Sequence, residues 1–189
     1  MGEARDVGGE NVTTEPLTPE VILRSFQTKF PDGVSQSRIE RRTGGSLKTE
    51  FVHIWFHIES RFLKDAVRHL FSLEEYPHFA VSSGYDLGST IELVYHFSLF
   101  HGERGREVSL NMTVPLPKDN PVIDTITDLI PGALISEQEK QEMLGVKILG
   151  IPKDTRVFVA DDIPKNVYPW RRDETGPEKL VRNLHEGEQ

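Results

Sequence analysis

Apolar and polar residues alternate most cleanly over residues 107–114. Val108, Leu110, Met112 and Val114 share one face there, and Glu107, Ser109, Asn111 and Thr113 the other. This two-residue period predicts a strand with one face turned inward. Residues 90–100 repeat it over a longer run, with Ile91, Leu93, Tyr95, Phe97 and Leu99 inward. Residues 51–58, FVHIWFHI, are dense in β-branched and aromatic side chains and apolar on both faces, which predicts a central strand. Residues 34–41 predict an edge strand before the turn Thr43-Gly44-Gly45, and residues 80–85 a short strand.

Elsewhere the period lengthens to that of a helix. Thr18 is a predicted N-cap with Pro19 at the first helical position, and Val21, Ile22, Phe26 and Phe30 follow at helical spacing. Ser60 is a predicted cap for a second helix that buries Phe62, Leu63, Ala66, Val67 and Leu70. Residues 122–130 and 136–144 read as two short helices. The order α-β-β-α-β-β-β-α-α implies an α+β fold: a mostly antiparallel sheet with helices packed on one face, followed by an extended C-terminal arm.

The periodicity also divides the chain. Residues 1–16 carry almost no large apolar side chains and read as a flexible N-terminal tail, ahead of an α+β domain over 17–145. Past Gly145 the regular period fades, and Pro152, Pro164, Pro169 and Pro177 are too closely spaced for helices or central strands. Val157, Phe158, Val159, Ile163, Tyr168 and Trp170 argue against plain disorder. Residues 146–173 therefore read as an extended partner-binding arm, and 174–189 as a polar tail.

Composition narrows the function. A formal charge of −8 opposes nucleic acid and anionic lipid as main partners. No cysteine is present, which excludes disulfides, thiolate metal sites and a cysteine nucleophile. The N-terminus lacks the apolar core of a secretory signal, and no window reaches the roughly 18 apolar residues of a membrane helix. Any work at a membrane then needs other chains to hold this one there.

Three groups of side chains are candidates for chemistry. His53 and His57 have zinc-like spacing only on a helix, and on the predicted strand they lie too far apart to share an ion. Glu139 and Glu142 share a helical face, with Glu137 close by. Such carboxylates can do acid–base work, hold a hard cation, meet a partner or simply face solvent. Tyr168-Pro169-Trp170-Arg171-Arg172-Asp173 combines the residue types enriched at protein–protein hot spots. It fits either a partner surface or a tail folded back on its own domain.

Several of these pieces together resemble a known family. Glu137-Gln138-Glu139, Glu142-Met143-Leu144-Gly145-Val146, Gly150-Ile151-Pro152, Arg156-Val157-Phe158 and residues 168–173 look like the signature of the thirty-kilodalton subunit of respiratory complex I. The family also serves energy-converting membrane-bound nickel–iron hydrogenases and related archaeal complexes. The sequence departs from the family pattern at Gln138, Leu144, Ile151 and Thr155, where the family has Arg, Phe, His and Arg, and at Glu142, where it has Asp. The departures, small size and acidic balance suit an archaeal hydrogenase-like or sulfur-reducing branch.

The resemblance implies an accessory subunit of the peripheral, cytoplasmic arm of a membrane-bound redox complex, with no active site, redox cofactor or metal of its own. Its expected partners are a large catalytic subunit and an adjacent small iron–sulfur subunit. Glu137, Glu139, Glu142, Gly145, Pro152, Arg156, Phe158, Tyr168, Trp170, Arg171, Arg172 and Asp173 would then be interface and loop-fixing residues. An independent soluble enzyme or metal-binding domain using Glu139, Glu142 and a histidine is the alternative, beside a free-standing adaptor.

Overall fold

Thr18 does open the first helix. Its hydroxyl accepts from the Val21 N–H at 3.3 Å, and α1 runs Pro19–Lys29. The computed structural model describes residues 17–103, 105–152 and 155–180. Parts of the expected tails, residues 1–16 and 181–189, lie outside them. After α1 come β1 (Val34–Gly44), β2 (Thr49–Ile58), α2 (Leu63–Leu73), β3 (His78–Asp86), β4 (Thr90–Leu99), β5 (Val108–Pro117), β6 (Val122–Asp124), α3 (Leu134–Leu144) and β7 (Lys147–Leu149). Single 3-10 turns precede α2 and α3, and another spans Pro177–Leu180.

The five long strands form one sheet in the order β1-β2-β5-β4-β3. Every pairing is antiparallel except β2 with β5, where Val52 sits opposite Val108 in parallel register. The fold is thus α+β with a mostly antiparallel sheet, as the periodicity implies. β2 is interior, as its two apolar faces require, and β1 is an edge. All five residues expected inward on β4 are buried, and so are the four on β5.

Helices α1, α2 and α3 lie on that inward face. Phe26 of α1 meets Phe56 of β2 at 4.9 Å between ring centroids. Ile22, Phe26, Leu63, Ala66, Val67 and Leu70 are fully buried, each large one stabilising by roughly 1.5–3 kcal/mol. The opposite face carries a cross-strand row of Arg38, Trp55, Asn111, His96 and Val81. Asn111 and Thr113 point to this face as expected, yet are buried. Asn111 accepts from His96 Nδ1 at 2.7 Å and donates to the Ile54 carbonyl, so its neighbours close over it.

Three local expectations are corrected. Residues 122–130 are not a helix. Val122–Asp124 is a strand, favoured by its β-branched residues and completed by parallel pairing with β7. Ser60 is no cap: it begins a 3-10 turn, and α2 has no side-chain cap. The third strand is longer than residues 80–85, because a bulge between Phe79 and Val81 breaks its alternation without ending it.

The core also continues beyond Gly145. Val146 and Ile148 are buried in the same cluster as the sheet residues, so the inner side of the expected arm begins as part of the core. β7 is too short to show a period but long enough to extend the core.

One buried histidine makes the fold sensitive to acid. His69 on α2 packs edge-on against Phe26. Ser25 donates to the Ile22 carbonyl and so accepts from His69 Nε2 at 2.9 Å, while Nδ1 faces Lys29 Nζ at 3.4 Å. Burial first, and the Lys29 charge second, lower its pKa from 6.5 to about 4. The folded chain therefore binds fewer protons between those values, so this stabilisation is complete above pH 6.5 and is lost as pH falls toward 4. Chemical denaturation should show the fold roughly 2 kcal/mol weaker at the acid end of that window. His69→Gln, which keeps a donor and an acceptor but does not titrate, should flatten this dependence. An unchanged slope in the variant would assign the acid sensitivity elsewhere.

Candidate partner interface

The C-terminal end of α3 forms a corner on which the two halves of the signature meet. Gly145 ends the helix with φ +67°, and its N–H donates to the Gln141 carbonyl. A side chain is excluded there twice: by the left-handed backbone, and by the Tyr168 ring, which would lie 2.7 Å from a Cβ. Trp170 N–H then donates to the Met143 carbonyl at 2.9 Å, and Arg171 Nε to the Leu144 carbonyl at 2.6 Å. Residues 168–171 therefore cap the helix that carries the glutamates.

Each glutamate has a different task. Glu137 is fully buried and accepts from Thr125 Oγ1 at 2.5 Å and from the Ile126 N–H at 2.9 Å. Burial raises its pKa, against the lowering effect of those two donors. It holds the turn after β6, the stretch expected to be helical. Glu139 pairs with Lys140, whose buried ammonium lies 5.2 Å from the Trp170 ring centroid. Glu142 accepts three backbone N–H groups, from Val157 at 2.6 Å, Phe158 at 2.8 Å and Val159 at 2.7 Å.

Glu139 and Glu142 thus serve separate partners and share neither a proton nor an ion. No histidine among the described residues bonds either one, and no cluster there is placed to hold a metal. Among the described residues, no geometry around Glu139 or Glu142 supports the acid–base or metal reading.

A second anchor lies beyond the corner. Lys118, just past β5, joins the Asp86 carboxylate at 2.8 Å to that of Asp173 at 2.7 Å. Asp86 Oδ2 also accepts the Arg172 N–H at 2.8 Å. Burial pushes the Asp86 pKa up, but Lys118 and the N–H groups of Arg172 and Gly88 pull it below its ordinary value. Lys118, then Thr175, hold Asp173 far below the usual carboxylate range. Of the two fits open to residues 168–173, a partner surface or a tail folded back on its own domain, the backbone of this stretch takes the second. The cation, the carboxylates and the helix-end carbonyls draw residues 168–173 back onto the domain.

Arg156 is likewise occupied, donating to the carbonyls of Ala160, Ile163 and Pro164 and so closing the loop 156–164 on itself. Of the twelve candidates, Glu137, Gly145, Tyr168, Arg171 and Asp173 face inward to this scaffold, with Glu142 and Arg156 bracing the loop and half-buried Glu139 paired with Lys140. Phe158 (42% exposed), Trp170 (41%), Arg172 and Pro152 face out. Val157 and Leu149 add exposed apolar surface nearby in the chain. The backbones at Phe158 and Trp170 are tethered to consecutive residues of α3, Glu142 and Met143, so both residues are held near one helical turn.

Sequence reasoning missed Asp86, Lys118 and Thr125. Asp86-Leu87-Gly88 is legible as a turn, but nothing local signals that its carboxylate reaches residue 172. Lys118→Met would leave the buried Asp86 carboxylate without its cation. It is expected to destabilise the fold by about 2 kcal/mol. It should also speed exchange of the Arg172 and Trp170 amides at least tenfold, read by hydrogen exchange. Unchanged protection there would show that the helix-end contacts alone hold the tail.

Comparison with known proteins gives this corner its setting. The family described as respiratory-chain NADH dehydrogenase, 30 Kd subunit, matches residues 56–179. The membrane-bound hydrogenase subunit beta of Pyrococcus furiosus is 35% identical over 165 residues, covering 87% of this chain and 91% of that one. Among solved structures, a chain of the membrane-bound sulfane sulfur reductase, an archaeal respiratory membrane complex, shares the fold with a TM-score of 0.65 at 19% identity, over 90% of this chain and 95% of that one. The trypsin-resistant fragment 1–134 of Nqo5 shares it at 0.52 and 21% identity, over 71% of this chain and 97% of that one. With the family match spanning most of the sheet, the corner and the capping tail, the chain belongs to the family of the 30 Kd subunit of respiratory-chain NADH dehydrogenase.

Proposed function

We propose that the chain is an accessory subunit of the peripheral, cytoplasmic arm of a membrane-bound respiratory redox complex of the hydrogenase or complex I type. It packs against the large catalytic subunit, with a small iron–sulfur subunit adjoining. Its contribution is a shaped surface that stabilises the electron-transfer module, and the redox groups belong to its partners. The observation that carries this reading is the corner itself: two exposed rings, Phe158 and Trp170, held by backbone hydrogen bonds on one turn of α3. Aromatic residues whose backbone is already ordered lose less entropy when a partner covers them, which is what an interface anchor needs.

Family membership and near full-length likeness to a membrane-bound hydrogenase subunit support the reading. No helix among the described residues is long and apolar enough to cross a membrane, which fits attachment through other subunits. In this reading the partner-binding arm is the outer side of residues 146–173, while its inner side belongs to the domain.

Gentle detergent extraction of native membranes followed by pull-down of this chain tests it. A large catalytic subunit should co-purify. Replacing Phe158 and Trp170 together by Ala should lower its retention by more than tenfold, since a buried aromatic anchor is worth about 2 kcal/mol or more. The isolated variant should melt close to the parent. A chain that emerges alone from gently solubilised membranes would overturn the assignment.

A further inference from the structure

Beside the exposed rings lies a polar cleft of about 400 Å³, enclosed by the last turns of α3, the start of β7 and the loop from Thr155 to Tyr168. Its lining includes Glu142, Lys147, Arg156, Lys165 and Tyr168. The charges are not equally free. Both Glu142 oxygens already accept backbone N–H groups, and the Arg156 guanidinium already donates to three carbonyls. Lys147 and Lys165 have no side-chain partner among the described residues, and neither does the Tyr168 hydroxyl.

The negative end of α3 points this way, which would disfavour an anion. Four of its end carbonyls, however, are covered. Those of Lys140, Gln141, Met143 and Leu144 accept from Val146, Gly145, Trp170 and Arg171. The charged groups left to a ligand are two ammoniums, beside the Tyr168 phenol, in a chain whose overall charge is −8. That is a local excess of positive donors against an acidic background, and it favours an anionic group, which on a protein partner is a carboxylate.

We propose that this cleft is the docking site for an acidic segment of the large partner subunit, whose carboxylate is received by Lys147 and Lys165 with the Tyr168 hydroxyl as a further donor. The proposal rests on the accessory-subunit reading, and it adds what that reading lacks: the chemistry the partner brings. The rings would supply the apolar anchor and the cleft the charge that sets register. Lys147 at the start of β7 and Lys165 after Pro164 come from different segments. An acidic side chain reaching both would bridge the core-bound and loop-bound parts of the corner.

Zero-length carbodiimide coupling of the intact complex tests this, because the reagent joins a lysine amine to a carboxylate only when the two already touch. Mass spectrometry should find Lys147 or Lys165 in amide linkage with Asp or Glu of the large subunit. In parallel, Lys147→Glu with Lys165→Glu should lower retention of that subunit at least tenfold, with a melt close to the parent. Lys147→Arg with Lys165→Arg, which keeps the charge but cannot couple, should retain it.

If the parent chain retains no large subunit, the accessory reading and this proposal fall together. If the large subunit is retained, the two lysines couple to none of its carboxylates and the Glu variant binds as well as the parent, this proposal falls alone. A titration of the free chain with inorganic phosphate and acetate separates the remaining source. Saturable binding of either at the two lysines, in a complex whose assembly ignores the charge reversal, would make the cleft a small-anion site and overturn partner docking.

Discussion

The end of α3 is the constraint on which the rest of the chain depends. A helix finishes with carbonyls that have no partner within it, and a helix end packed on a sheet cannot leave them to water. Gly145 and Val146 turn back to satisfy two of them, and Trp170 and Arg171 return from a later part of the chain to satisfy two more. That return is possible only because Gly145 has no side chain where Tyr168 sits. Two stretches separated by a proline-rich loop are thereby one structural unit.

The acidic side chains follow a common logic. Asp86, Glu137 and Glu142 each accept at least one backbone N–H from a segment without regular partners. A carboxylate in this position does for irregular backbone what a neighbouring strand does in a sheet. It gives shape to residues whose prolines forbid a ladder. The charge that looks excessive in composition is thus partly structural.

The long strands, their inward faces and α1 were legible in the sequence, because each carries several repeats of its own period. The helix expected at 122–130 failed because the β-branched residues at its start found a strand partner in β7, which is too short to announce itself. Gly84 hints at a close approach, but only the fold shows that Leu144 and Lys140 fill the space. The signature residues were legible as a set and not in their roles. Glu142 and Arg171 look like surface charges in a linear reading. Their partners are backbone atoms 15 to 27 residues away, at positions that carry no chemical label.

The single parallel pairing in the sheet has a separate consequence. On one side of it lies the β1–β2 hairpin, and on the other the meander β3–β4–β5. Each is antiparallel and built from nearby residues, whereas the seam between β2 and β5 joins Val52 to Val108. Loop closure makes such a contact slow to form, since chain entropy must be lost before the pairing stabilises anything. The sheet is therefore two locally encoded halves with one long-range weld, and that weld is the pairing expected to form last as a newly made chain folds.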